Sequence, residues 1–315
     1  MAVFSGTNKA HGTAAGANYV DFSKALFDMY VEREFIKRLE RKLVAHKTGK
    51  VSTLPEQFGK NVRWNYLSSP TTGATTPLAE GEDPTSATEF TLNSVTAALD
   101  EYGAFVNFTK ELDVEAVSGT IEEVLDALAY HAMLTIDTLY LTESADFTVE
   151  VDAGVAMSAE ALRRVRKLLD ESQADFHPIT GGPMFCGVFH TEQAYDMLGE
   201  GAPTWSQAKN ELVESNFRTP FEDSPAGSAL YDVLVKISQN VRNVSSNHLG
   251  YVYGKDAQGV SSLATNISQP RVILTRPEDA VDVVLRNRGR AGWWMLYATT
   301  TIDSNRAVEV ISDVT

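Results

Sequence analysis

Cys186 and His190 are the pair whose residue types and spacing first suggest chemistry, because a thiol beside an imidazole can act as a nucleophile with its base. They lie four residues apart in the apolar run MFCGVFH at 184–190, where strand alternation places both side chains on one face. A free cysteine is among the most frequently buried residue types. We therefore expect Cys186 to be a small core residue.

Other chemical motifs are missing from the sequence. It contains no GxxxxGK[ST], GxGxxG, GxSxG or HExxH pattern, and Ala307 stands where a calcium loop around Asp303 would need an oxygen ligand. None of the histidines lies at metal-ligand spacing from another, and His131, inside a predicted helix, is most simply a packed or interface residue. The six histidines are His11, His46, His131, His177, His190 and His248. The sequence thus predicts no catalytic site, no cofactor and no metal.

A basic cluster at 163–167 could contact phosphates. Its charged members are Arg163, Arg164, Arg166 and Lys167. Because apolar residues fall between these charges at helical spacing, the stronger interpretation is the solvated face of an amphipathic helix.

Composition excludes several classes of protein. The chain has 315 residues, of which 43% are hydrophobic and 22% charged, so it can bury a sizeable core. With 42 acids and 27 bases its formal net charge is −15, the wrong sign for a protein built mainly to grip nucleic acid. A single cysteine excludes an internal disulfide framework and paired-thiolate zinc sites. No long apolar run or secretory leader is present, which predicts a soluble protein in a reducing compartment.

The chain alternates helix and strand signals, which predicts an α+β fold. Helices are expected at 21–47, 121–141, 158–172, 191–198 and 204–214. Strands are expected at 61–67, 89–99, 104–108, 184–189 and 231–237, the last half-buried, and 293–301 and 306–312 are expected to form a closing hairpin around Asp303, Ser304 and Asn305.

A long connection separates two of these strands. Residues 68–88 hold six Thr, three Pro and two Gly, and a structureless connection of this length is uncommon inside a compact domain. Both flanks have strand periodicity, which favours a two-stranded arm over a disordered linker. Residues 50–67 alone could extend roughly 60 Å at about 3.3 Å per residue, whereas a globule of this length has a radius of gyration of about 20 Å. Such an arm must fold back on itself or lie on a neighbouring molecule.

Charge is segregated between neighbouring segments. Residues 24–50 hold eight bases and four acids, and residues 80–126 hold twelve acids and one base, Lys110. We hypothesise that the basic first helix of one subunit, with Arg38 and Arg41, lies near the acidic hairpin of another.

The order of flexible N-terminal arm, helix, long hairpin, long helix, mixed α/β region and closing hairpin resembles the major capsid proteins of tailed bacteriophages. These have the Hong Kong 97-type capsid fold, and the sequence is most similar to the N4-like branch. The stretches that carry the resemblance are TPLAEG at 76–81, YG at 102–103, 105–112, TIDTL at 135–139, HTEQAYDML at 190–198, GKDA at 254–257 and LRNRGRAGW at 285–293.

The resemblance implies a structural protein and not an enzyme. Pentamers and hexamers of the chain would form an icosahedral shell around double-stranded DNA, without sequence-specific binding, in the virion capsid after assembly in the host cytoplasm. Partners would be further copies of the chain, scaffolding and portal proteins, and possibly decoration proteins, with no membrane. The implied divisions are an N-terminal arm and helix (1–48), an extended hairpin arm (49–110), a peripheral domain with a spine helix (111–155), an axial domain (156–285) and return strands (286–315).

Ten residues are expected at subunit interfaces from the resemblance and the charge hypothesis together: Arg38, Arg41, Trp64, Pro77, Leu78, Glu80, Gly81, Tyr102, Arg288 and Trp293. Two alternatives stay open. One is an encapsulin-type compartment of the same fold that encloses an enzyme cargo, and the other is an oligomeric α+β enzyme whose motifs are not recognisable.

Overall fold

The structure is a computed structural model that describes residues 31–39, 43–53, 59–67, 91–109, 120–154, 156–178, 184–198, 228–263, 269–275 and 288–313. Within these residues the α-helices are α1 (31–39), α2 (Thr120–Glu143), α3 (Ala159–Glu171) and α4 (Thr191–Leu198). The strands are β1 (Lys50–Ser52), β2 (Asn61–Leu67), β3 (Leu92–Ala98), β4 (Asp100–Thr109), β5 (Glu150–Asp152), β6 (Phe185–Phe189), β7 (Ser228–Leu230), β8 (Val233–Ile237), β9 (Asn243–Val244), β10 (Asn247–Tyr253), β11 (Gln258–Ser261), β12 (Arg271–Thr275), β13 (Arg288–Tyr297), β14 (Thr299–Thr301) and β15 (Ala307–Asp313). Among the described helices, none is long and apolar enough to cross a membrane.

The largest sheet has seven strands in the order β5-β15-β10-β6-β8-β7, with β9 also paired to β10. The pairs β6–β8 and β5–β15 are parallel and the others are antiparallel, so the sheet is mixed. Helix α3 contributes Leu162, Val165 and Leu169, all fully buried, to the hydrophobic cluster on this sheet. Ser158 caps the helix by accepting a hydrogen bond from the Ala161 N–H. Both features agree with the amphipathic helix that the sequence predicts.

The long helix α2, the spine helix, packs against a second sheet of order β12-β13-β4. Its residues Leu125, Leu128, Ala132 and Ile136 are buried at helical spacing. They share one core cluster with the inward side of β13, whose residues are buried at every second position. The predicted helix at 121–141 is thus confirmed, and its apolar stripe is what holds the β13 sheet in place.

The predicted hairpin between 61 and 99 is also confirmed. Strands β2 and β3 form a two-stranded antiparallel sheet that pairs Asn61 with Ala98 and Leu67 with Leu92. The connection 68–88 lies outside the described residues. At its base the hairpin packs on the body through a small cluster that contains Val62 and Trp64. The hairpin is therefore anchored at one end by its own chain.

Near the end of α1 the prediction is wrong. The sequence favours a helix as far as about Lys47, but residues 43–45 are not helical and a single 3₁₀ turn follows at His46–Thr48. Buried Asp137 of the spine helix accepts hydrogen bonds from the backbone N–H groups of Val44 and His46 at 3.2 and 3.1 Å. A carboxylate from another helix thus replaces the helical hydrogen-bond partners.

The predicted closing hairpin is wrong as well. Strand β14 pairs with β11, and β15 pairs with β10 and β5, so the two segments belong to different sheets. The 3₁₀ turn Ser304–Arg306, with the Asp303 side chain accepting from the Asn305 N–H, carries the chain from one sheet to the other. Local turn chemistry was identified correctly, but it does not specify the partner strands.

Strand β8 is more deeply buried than predicted. Its first three residues, Val233, Leu234 and Val235, are all buried, because β8 lies between β6 and β7 in the large sheet. Tyr231 lies in the turn that precedes it, with φ of 50°. The remaining predicted helix at 204–214 lies outside the described residues.

Candidate subunit-interface surfaces

The outer face of the β12-β13-β4 sheet carries exposed apolar residues among the described residues. On β13 the odd-numbered residues face the spine helix, while Arg288 and Arg290 are exposed and Gly292 and Trp294 are partly exposed. Since directly paired residues share a face, the register extends this outer face to the two neighbouring strands. One layer of the protein therefore has one covered side and one open side.

Two large apolar side chains lie across this face in one row. Gly292 of β13 pairs with Ile273 of β12 on one side and with Phe105 of β4 on the other. The Ile273 residue is 56% exposed and Phe105 is 66% exposed. Gly292 has no side chain, and a Cβ there would lie 3.0 Å from Cβ of Phe105, so the glycine lets the two strands approach closely between these residues. Exposed apolar residues grouped in this way mark a surface that binds another protein.

Arginine side chains surround the apolar row. Arg271, Arg288 and Arg290 are exposed on the same sheet, and register places all three on the outer face. The Arg271 guanidinium lies 5.7 Å from the centre of the Trp294 ring, in a cation–π contact. One acid, the exposed Glu101 that pairs with Leu296, shares this face with the three arginines. The outer face is thus a surface with an apolar centre and an excess of bases, which suits a partner that is acidic and partly apolar.

The hairpin complements the outer sheet face, because it combines exposed apolar residues with a neighbouring sequence segment that is acidic. Leu67 and Leu92, paired at its far end, are 52% and 68% exposed. In the sequence, strand β3 is preceded by the segment 80–90, which holds four acids and no base. The described end of the hairpin therefore carries exposed apolar side chains, and the chain that precedes Leu92 is acidic in sequence.

Trp64 fixes the base of the hairpin. Its side chain is 1% exposed, and its Nε1 donates a hydrogen bond to the Lys50 carbonyl at 3.0 Å. A Cβ placed on Gly259 of β11 would lie 2.7 Å from the Trp64 ring, so the glycine leaves the space that the indole fills. The contact orients the hairpin with respect to the body.

The structure describes five of the ten predicted interface residues. Trp64 and Trp293 are buried within the chain itself, Tyr102 is half-buried, and Arg288 is exposed on the outer face. Arg38 lies 3.7 Å from Asp126 of the spine helix, so part of its charge is matched inside the subunit. The remaining residues, Arg41, Pro77, Leu78, Glu80 and Gly81, lie outside the described residues.

The sequence analysis did not single out Phe105, Ile273, Leu67 or Leu92 as interface candidates. Strand alternation near Phe105 was visible, but alternation states only that two faces differ. Which of them is covered depends on the position of the spine helix, which the local sequence does not encode.

Burial, salt bridges and ring contacts account for the residues that the sequence analysis considered for chemistry. Cys186 is fully buried, and burial raises the pKa of its thiol to about 11, which suppresses the nucleophilic thiolate. Arg163 contacts Glu160 at 3.0 Å and Lys167 contacts Glu171 at 3.4 Å, as expected for a solvated helix face. The ring of the exposed residue His131 lies 5.8 Å from that of Trp293.

Comparison with solved structures identifies the fold. The chain is similar to the capsid of Ralstonia phage GP4, with a TM-score of 0.62, 11% identity, and coverage of 100% of this chain and 98% of that one. It is also similar to the head structure of Helicobacter pylori bacteriophage KHP40, with a TM-score of 0.59, 11% identity and coverage of 84% and 88%. The chain has the fold of phage capsid proteins.

The same fold occurs in a compartment shell. The holo-SrpI encapsulin complex from Synechococcus elongatus matches with a TM-score of 0.55, 8% identity, and coverage of 86% of this chain and 87% of that one. No family model matches the sequence, and no curated protein does. The similarity to capsid proteins is therefore detected by comparing backbone structures, at sequence identities of 8% to 11%. The narrower similarity to the N4-like branch stays a prediction.

Proposed function

We propose that this protein is the major capsid protein of a tailed bacteriophage, whose pentamers and hexamers form an icosahedral shell around double-stranded DNA. The observation that carries the proposal is the end-to-end likeness of its fold to phage capsid proteins. In this role the chain is structural and has no catalytic activity. The described residues form a folded body, a hairpin that packs on it at one end, and a sheet with one exposed face.

The outer face of the β12-β13-β4 sheet is the proposed binding surface for a neighbouring subunit. It combines the exposed side chains of Phe105 and Ile273 with the arginines around them. The hairpin, with exposed Leu67 and Leu92 beside an acidic segment, is the complementary element. Apolar contact would supply most of the affinity, and the opposite charges would set orientation and partner choice.

Further aspects of the proposal follow from the resemblance. The N-terminal segment with Arg38 and Arg41, and the TPLAEG stretch at 76–81, would contact neighbouring subunits, and the five divisions of the chain would be those of the capsid fold. Scaffolding, portal and possibly decoration proteins would be its partners during assembly in the host cytoplasm. The net charge of −15 suits a shell that contains DNA without gripping it.

An encapsulin-type compartment is the second candidate, because a shell of that class has the same fold. The match that covers 100% of this chain and 98% of the other, with a TM-score of 0.62, is a phage capsid, which favours the phage assignment. The two functions differ in what the shell encloses, so the contents of purified particles distinguish them.

The test is assembly of the full chain, expressed alone and together with a candidate scaffolding protein, by negative-stain electron microscopy and light scattering. We expect closed shells, or rings of five and six subunits. Particles that copurify with an enzyme would support the encapsulin-type compartment. If the protein stayed at one to four chains even with scaffold supplied, the shell proposal would be overturned.

Two substitutions locate the contact. Phe105→Glu and Ile273→Asp place charges in the apolar row without touching the core, and we expect each to abolish assembly while the subunit still unfolds at the wild-type temperature. Tyr195→Ser, at a residue of α4 that is 73% exposed, is the matched control for loss of an exposed hydrophobic side chain. Shells that form normally from both charged variants would refute the proposed binding surface.

A further inference from the structure

A compact group of three potential metal ligands lies where α4 meets β10. His190, Glu192 and His248 each offer one ligand atom, and these atoms all lie within 4.8 Å of one another. Of these residues, His248 is buried, His190 is half-buried and Glu192 is exposed. The sequence did not predict this cluster, because 58 residues separate His190 from His248.

The two imidazoles are already held together. Their ring centres lie 3.8 Å apart with planes inclined at 14°, so the rings are stacked. The Glu192 carboxylate lies 2.6 Å from Nε2 of His248, and the Glu192 N–H donates to Nδ1 of His190 at 3.3 Å. Nδ1 of His248 is buried without a hydrogen-bond partner among the described residues. A buried polar atom of this kind is costly unless a ligand or solvent satisfies it.

A buried glutamine fixes the backbones that carry the two histidines. Gln193, fully buried, accepts a hydrogen bond from the His190 N–H at 3.0 Å through Oε1. Its Nε2 donates to the His248 carbonyl at 3.1 Å and to Oγ of Ser312 at 2.9 Å. One side chain thus ties the start of α4 to β10 and β15. Support of this kind around a ligand set orients the ligands and strengthens metal binding.

From this arrangement we propose that His190, Glu192 and His248 form a binding site for a divalent transition metal of the zinc type. Two imidazoles and one carboxylate are a common zinc ligand set, with bonds of about 2.0–2.2 Å. Bonds of that length place tetrahedral ligands roughly 3.3 Å apart. The stacked rings of His190 and His248 direct their in-plane lone pairs along nearly parallel planes. Binding therefore requires the half-buried His190 ring to rotate toward an ion that it shares with His248 and Glu192. Solvent would supply the fourth ligand.

Metal bound here would join α4 to the central strand β10 of the large sheet. Because it would bind the folded chain and not the unfolded one, it would raise the stability of this region with the logarithm of its concentration above the dissociation constant. The inference concerns a single subunit and does not depend on the proposed shell.

The experiment is zinc chloride titration of the full chain, first treated with chelator, by isothermal titration calorimetry at pH 7. We expect one zinc per chain, and a rise in unfolding temperature that chelator reverses. Cobalt chloride should give the visible absorption of a four-coordinate site. Absence of binding at micromolar zinc would overturn the proposal.

Variants identify the ligands. His190→Ala and Glu192→Gln remove the two accessible ligands, and each should weaken zinc binding at least tenfold while leaving the fold intact. His131→Ala, an exposed histidine outside the cluster, should bind zinc as the wild type does. His248→Ala would also abolish binding, but its burial makes the two accessible variants decisive. Wild-type affinity in both His190→Ala and Glu192→Gln would refute the site.

Discussion

Asp137 directs the chain between α1 and β1. It is fully buried in the spine helix, where burial raises the pKa of its carboxyl and the backbone N–H groups of His46, Val44 and Ala45 oppose that rise. Two of these contacts, at 3.1 and 3.2 Å, hold the backbones of His46 and Val44 where the chain passes from α1 to the 3₁₀ turn at His46–Thr48. A buried acceptor with several donors is hard to replace, since each lost contact leaves a buried N–H unsatisfied.

Asp137→Asn tests this role. The amide can accept only one of the two contacts, and its NH₂ group faces the other N–H, so we expect a loss of about 1–3 kcal/mol in the free energy of unfolding. Urea denaturation of unassembled subunits measures it. Glu123→Gln, an exposed acid on the same helix, is the matched control and should change stability little. Equal effects of the two variants would contradict the assignment.

The buried residue His46 makes the free energy of unfolding depend on pH, and the direction of its pKa shift fixes the sign of that dependence. Burial, followed by the charge of Lys47, lowers the pKa of His46 to about 4, below its ordinary value of 6.5. Between pH 6.5 and 4 the unfolded chain therefore binds more protons than the folded one, and the contribution of His46 to stability falls as pH falls. Across the whole interval from pH 6.5 to 4, the loss in the free energy of unfolding amounts to about 3 kcal/mol, at about 1.36 kcal/mol per pH unit.

The prediction is that His46→Gln flattens the stability–pH profile between pH 6.5 and 4, as measured by urea denaturation at each pH. Glu309 acts in the opposite direction, because burial raises its pKa to about 6 and the folded state holds its proton up to a higher pH. His131→Gln should leave the profile unchanged. A His46→Gln profile parallel to the wild type would exclude His46 as the source.

At the scale of elements, the hairpin depends on its base. Trp64 fills the space above Gly259, and its indole N–H is satisfied by the Lys50 carbonyl. Farther out, where Leu67 pairs with Leu92, both side chains are exposed. The hairpin is thus held at one end by the small cluster in which Trp64 is the largest buried side chain.

Trp64→Ala should free the hairpin. Loss of a buried Trp side chain costs about 3–5 kcal/mol, and we expect faster amide hydrogen exchange in β2 and β3 with little change in β6 and β10. Gly259→Ala should act in the same direction, because its methyl group would displace the indole. Leu92→Ala, at an exposed position, should leave exchange unchanged. Uniform acceleration in all strands would show that the hairpin is not a separate unit.

At the scale of the whole molecule, the charge of the chain is divided between segments. In the sequence, the segment 24–50 has an excess of bases and the segment 80–126 an excess of acids. One pair across this division, Arg38 with Asp126, forms inside the subunit. The outer sheet face adds Arg288 and Arg290 to the basic side. Between exposed charges such attraction is screened by salt.

Assembly should therefore weaken as salt rises. Raising ionic strength from about 0.1 M to about 1 M shortens the Debye length from roughly 10 Å to roughly 3 Å. Charge reversal at Arg38 and Arg41 should lower the assembled fraction, measured by light scattering, and the loss should be smaller at high salt. Assembly that is indifferent to salt and to both reversals would rule out charge pairing between subunits.

The sequence alone determined the class of fold and most elements. Periodicity identifies the spine helix, α3 and both hairpin strands, because a buried stripe at 3.6 or 2 residues is a local property of the chain. The resemblance to capsid proteins was also readable from ordered motifs, and the fold comparison supports it. These inferences need no knowledge of what packs against each element.

Only the tertiary structure decided which residues meet. The turn at Asp303 looked like a hairpin, yet β14 and β15 join different sheets, because strand pairing is chosen by distant partners. The outer face of Phe105 and Ile273 is defined by the spine helix that covers the other side. The cluster of His190, Glu192 and His248 needs α4 and β10 to be brought together. Each depends on contacts between residues far apart in the chain, which local spacing does not encode.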